Sequence, residues 1–79
     1  MTLDEYLRQS SIKQADFAAI VGVSQGFVSG VITGRYMPQG RKAIEWAKAT
    51  DWNVTPHELN PHDYPNMEDG IPLHVRQTA

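Results

Sequence analysis

The chain contains no cysteine, so neither a disulfide frame nor a thiolate metal site can staple it. No apolar run comes near the roughly 20 residues that a membrane span needs. No basic-then-apolar leader precedes the amphipathic pattern of residues 2–9. A Gly-rich phosphate loop is missing, and the few serines lack a His/Asp partnership that would make one a nucleophile. Strand-like alternation is nearly absent, as are internal repeats and low-complexity runs. The expectation is a single soluble, cytoplasmic domain that is not an enzyme, needs no cofactor and touches no membrane. With 79 residues, it buries only about 60% of its unfolded surface. Helix packing, good caps and self-association must supply the stability.

Charge of either sign is modest, but its distribution is uneven. Residues 1–50 carry six basic side chains against four acidic ones, a balance of +2. Residues 51–79 carry one basic side chain against five acidic ones, a balance of −4, and the whole chain stands at −2. A mildly basic head therefore precedes an acidic tail. For a surface that meets phosphates, this distribution matters more than the sum.

What is present is a dense set of helix signals. Thr2 followed by Glu5 forms a capping box, opening a helix to about Gln9 with Leu3, Tyr6 and Leu7 on one face. A second helix is predicted from about Lys13 to Ile20, with Phe17, Ala18 and Val21 inward and Gly22 as its left-handed stop. Ser24 caps a third helix that reaches about Thr33 and ends at Gly34. Pro38 suits the first turn of a fourth, over 39–50, with Ala43, Ile44 and Ala47 inward and Trp46 in the core. Thr55, Pro56 and Glu58 open a short fifth helix ending near Leu59. Beyond it Pro61, Pro65 and Pro72 keep the backbone extended and exclude a long helix. The fold expected is a compact all-α bundle of about five short helices over residues 1–59, followed by an extended acidic tail over 60–79.

Residues 14–33, QADFAAIVGVSQGFVSGVIT, have the spacing of a helix-turn-helix. Close crossing of two helices asks for a small residue at the contact, Ala18. The turn asks for a left-handed residue, Gly22. Val23, Val28 and Val31 then close the pair at the right phase. On the third helix Phe27, Val28, Val31 and Ile32 form an apolar stripe, and Gln25, Gly26, Ser29, Gly30 and Thr33 form a polar, small stripe opposite. An inert solvated face would hold Glu, Lys or Ala, because each glycine costs about 1 kcal/mol of helix propensity. Two glycines point instead to close approach. Such helices enter the major groove of double-stranded DNA, where Gln25 could pair with adenine N6 and N7. Ser29 and Thr33 could donate or accept there. Lys13, Gln14, Ser24, Arg35, Tyr36, Arg41 and Lys42 flank this helix as candidate phosphate contacts, aided by the N-terminus of the fourth helix.

This helix-turn-helix resembles those of the phage Cro and CI repressor superfamily. The resemblance implies that Gln14 binds a backbone phosphate and that Gln25, Gly26, Ser29 and Gly30 hold the base-contacting positions. Residues 52–66, WNVTPHELNPHDYPN, narrow the likeness to the YdaS-type family of small Cro-like regulators, over roughly residues 1–72. That likeness implies a prophage-encoded, bacterial transcriptional repressor, and for some members an antitoxin.

Other constellations are weaker. His57, His62, Asp63 and His74 lack an established metal-ligand spacing, so no metal is expected. Trp52 and Tyr64 are candidates for a self-association surface, since operators of this class are two-fold and bind homodimers. The alternative function is an antitoxin-type interaction module that holds a toxin partner through its acidic, proline-punctuated tail.

Overall fold

Thr2 begins the first helix as its spacing from Glu5 requires. Thr2 Oγ1 accepts the Glu5 amide at 3.2 Å, and Glu5 Oε1 accepts the Thr2 amide at 3.1 Å. The computed structural model describes residues 1–77, which hold six helices and no strand. They are α1 (Leu3–Gln9), α2 (Gln14–Val21), α3 (Gln25–Ile32), α4 (Arg41–Ala49), α5 (Pro56–Leu59) and α6 (Leu73–Gln77). The all-helical architecture is the one the caps and periodicities call for. Gly22 closes α2 with φ 75°, and the Val23 amide reaches back to the Ala18 carbonyl at 2.9 Å. Ser24 Oγ accepts the Phe27 amide at 3.1 Å and starts α3.

Helix α4 begins later than expected. Pro38 lies ahead of it and is buried, and the helix starts after Gly40, which takes φ 54°. Tertiary bonds explain the delay. The Pro38 carbonyl accepts from Asn60 Nδ2 at 2.9 Å, and the Gly40 amide donates to Asp63 Oδ2 at 3.1 Å. Backbone groups that would have opened an earlier turn are thus committed to residues 60–63. Between α4 and α5 the chain passes through two left-handed residues, Asp51 and Trp52. Buried Thr50 steadies this turn, donating to the Ala47 carbonyl at 2.7 Å and accepting the Val54 amide at 3.0 Å.

The core gathers Leu3, Leu7, Phe17, Ala18, Val28, Ala43, Trp46, Ala47, Val54 and Leu59. Trp46 stands at its centre, with Phe17 and Phe27 edge-on at 5.6 and 5.7 Å between ring centroids. Ile44, expected inward, is only half-buried, because the inward arc of α4 is taken by Ala43, Trp46 and Ala47. Trp52 and Tyr64, both half-buried, pack against this core. After Asn60 no long helix forms among the described residues, but the tail is not extended as expected. Turns at 61–63 and 67–70 fold it back, and a sixth short helix, α6, follows Pro72, which suits a helix's first turn. Among the described residues no single helix is long and apolar enough to cross a membrane.

Candidate nucleic-acid interface

Helices α2 and α3 turn through 108° at Gly22–Ser24, within the range of about 90–120° seen for helix-turn-helix units. Ala18 of α2, 3% exposed, and Val28 of α3, fully buried, belong to one core cluster. Val23 and Val31 complete the closure as half-buried partners. This packing rotates the other side of α3 outward.

On that outward side Gln25 and Gly26 are exposed and Ser29 is half-buried. A Cβ at Gly26 would meet only Ser24 Oγ, at 3.9 Å. Nothing inside the protein therefore demands a glycine there. Ser24 Oγ is occupied as an acceptor by its capping bond, which leaves its proton available to an anion. Thr33 is exposed, but its hydroxyl donates to the Gly30 carbonyl at 3.2 Å, leaving its lone pairs and methyl group for an outside partner.

Gly30 departs from the sequence expectation. It is buried, with the Tyr36 ring resting against it, and only its backbone lines the cleft along α3. The reason is the closure of α3. The Arg35 amide donates to the Gly30 carbonyl at 2.8 Å and the Gly34 amide to the Val31 carbonyl at 3.2 Å, with Gly34 left-handed at φ 85°. This paired capping motif folds the chain back over the last turn.

The cations fall on two sides of Tyr36. An open cleft of ≈ 610 Å³ brings together Ser24, Gly26, Ser29, Thr33 and Arg35 along α3. A second, of ≈ 680 Å³, holds Arg35, Arg41 and Lys42 with Gln39 and Met37 on the far side of the ring. Gln25 lines neither cleft. It stands exposed at the leading end of α3. Lys13 and Gln14 lie apart from both clefts, at the N-terminal end of α2.

The expected phosphate seat at the start of α4 is altered. Asp63 already places a carboxylate on the Gly40 amide, so an approaching phosphate meets like charge beside that end. The side chains of Arg41 and Lys42 remain exposed. Tyr64 adds to this clamp by donating its hydroxyl to the Gly40 carbonyl at 2.6 Å. Sequence reasoning missed the clamp. Its one local signal was the Asn-Pro pair at residues 60–61, a turn initiator. Asn60 Oδ1 does accept the His62 and Asp63 amides. Its grip on Pro38, far back in the chain, carried no signal.

Among the described residues no three His, Cys, Asp or Glu side chains gather to hold a metal ion. One ring nitrogen of His57 is engaged by its own chain, donating from Nδ1 to the Tyr64 carbonyl at 2.8 Å.

Comparison with known families gives one result. A family model described as helix-turn-helix matches residues 3–59. Neither the curated proteins nor the solved structures give a match.

Proposed function

The chain belongs to the helix-turn-helix family of DNA-binding transcription regulators, and we propose that within it this protein is a Cro-like repressor that lays α3 in the major groove of its operator. The observation that carries this reading is the outer face of α3. Gln25 and Gly26 are open to solvent at its leading end, and no interior contact accounts for the glycine. In this reading Gln25 hydrogen-bonds an adenine edge, Gly26 lets the backbone approach, and Ser29 and Thr33 contact neighbouring bases. Lys13, Gln14, Ser24, Arg35, Arg41 and Lys42 hold the two phosphate strands. Binding is as a homodimer on a two-fold operator, with half-sites about 34–36 Å apart.

The finer assignment, to YdaS-type prophage regulators acting in a bacterial cytoplasm, draws on residues 52–66. Thr55 to Leu59 form the capped α5, and Asn60 to Tyr64 form the clamp on residues 38–40. Fluorescence anisotropy on a duplex from the protein's own promoter region, beside a scrambled duplex, tests the main reading. Binding confined to the first supports it, provided Gln25→Ala relaxes one base pair by about 1–3 kcal/mol. Unchanged base preferences in Gln25→Ala would remove the assigned reading face.

An antitoxin role is the second reading, favoured by two exposed apolar side chains on the acidic tail. Met67 is 61% and Leu73 60% exposed. In that case Met67→Ser with Leu73→Ser would abolish protection of cells from a toxin encoded beside the gene, while operator binding persists. Loss of neither activity would set this reading aside.

A further inference from the structure

Gly30 and Tyr36 stand six residues apart and meet in space. A Cβ built on Gly30 would collide with Cδ2 and Cε2 of Tyr36, so the ring rests on the glycine backbone. The closure of α3 brings the chain there. The Gly30 carbonyl accepts the amides of Arg35 and Tyr36 at 2.8 and 3.1 Å. Phe27, one turn back on α3, stacks on the same ring with centroids 5.3 Å apart and planes within 5°. A helix closure, a missing side chain and an aromatic neighbour therefore all hold one ring in one place. Yet Tyr36 remains 45% exposed, and among the described residues its hydroxyl has no hydrogen-bond partner. A ring that only completed the core would be covered. This one forms the wall between the cleft along α3 and the cleft holding Arg41 and Lys42.

We propose that Tyr36 is a second base-reading residue, occupying the place on the outer face of α3 that Gly30 leaves empty, and that its ring selects a thymine through the C5-methyl group. The inference rests on the reading that α3 enters the major groove. In that groove the thymine methyl is the apolar feature that base pairs present, and an apolar surface is its natural partner. A ring held between Gly30 and Phe27 reaches it without losing much rotamer freedom, which strengthens the contact. Gly30 then serves specificity indirectly, as the seat of the ring, while Gln25 and Ser29 read the half of the site nearer the N-terminus of α3.

The test begins with a pool of randomised duplexes. Those bound by the full chain are sequenced, and the most enriched duplex is remade with uracil for each thymine in turn. At one thymine, loss of the methyl group should weaken binding about fourfold, the worth of one buried methyl. Tyr36→Ala should lose that dependence, and Tyr36→Phe, which preserves the stack on Phe27, should keep it. Gly30→Ala, by pushing the ring aside, should behave like Tyr36→Ala. Gln25→Ala should keep the methyl dependence while altering preference at a different base pair. The proposal is overturned if Tyr36→Ala retains the uracil penalty, or if no uracil penalty exists in the unaltered protein. In either case a shifted preference in Gln25→Ala would leave the groove reading intact. If the unaltered protein enriches no sequence, the groove reading falls and this inference with it.

Discussion

Gly26 and Gly30 stand one turn apart on α3 and answer different demands. Gly30 is required by the protein itself, because Tyr36 fills the space where its side chain would be. Gly26 has open space and ordinary helical geometry. Gly26→Ala should therefore stabilise the fold by about 1 kcal/mol, raising the melting temperature by about 4–8 °C. If the same variant binds the operator more weakly, the glycine is kept for close approach to DNA. A stabilised variant with unchanged binding would show that position 26 does not face the duplex. Asn60 is a different kind of residue. It is 2% exposed and satisfies the Pro38 carbonyl, with Asp63 and His62 bonded around it. Asn60→Ala would strand a buried carbonyl and should cost about 1–3 kcal/mol, read by thermal or urea unfolding.

At the scale of the element, each helix boundary has its own chemistry. The capping box of α1 holds the Glu5 carboxyl below its ordinary range, through hydrogen bonds from the Thr2 amide and hydroxyl. Folded Glu5 is thus the stronger acid. The stability it lends is present above its ordinary unfolded pKa and fades as pH falls through the lower folded value. Thr2→Val should flatten the acid side of a melting-temperature profile without changing its neutral plateau beyond the loss of one cap, about 1 kcal/mol. The end of α3 depends on Gly34, left-handed with nothing near its missing side chain. Gly34→Ala should destabilise by about 1–2 kcal/mol through backbone strain alone. Because Gly34 is part of the turn that seats Tyr36, its alanine variant should also disturb sequence selection, which the duplex-pool experiment reads.

At the scale of the molecule, charge and chain connectivity meet at residues 38–40. The acidic tail does not simply trail from the basic head, since Asp63 and Tyr64 grip Gly40 just before Arg41 and Lys42. A truncation intended to keep residues 38–42 in place must therefore end beyond Tyr64. Removing everything from residue 60 onward should loosen the turn that carries these cations and weaken binding on all sequences. Lys42→Ala alone should weaken binding uniformly and reduce the slope of log affinity against log salt by about 1. An unchanged slope would take Lys42 out of the phosphate contacts. The N-terminal ammonium, 2.9 Å from Glu58 Oε1, joins the start of α1 to α5, so the ends of the head are also joined.

Whatever is settled within about one turn of chain was legible in the residues alone. Thr2, Ser24 and Thr55 cap their helices because a side-chain oxygen can reach an amide three residues on. Gly22 and Gly34 end them because glycine takes a positive φ freely. The spacing of Ala18, Gly22, Val23 and Val28 implied the helix-turn-helix, which the family match over residues 3–59 bears out. The tertiary structure alone decided what depends on distant chain segments sharing a volume. It brought the Tyr36 ring onto Gly30, a position that the periodicity alone left on the open polar stripe of α3. It delayed α4 by drawing Pro38 and Gly40 to Asn60 and Asp63, more than twenty residues away, and turned Trp52 and Tyr64 toward the core. A periodic pattern tells which side of a helix faces outward, but a loop folded back over that side can still cover part of it.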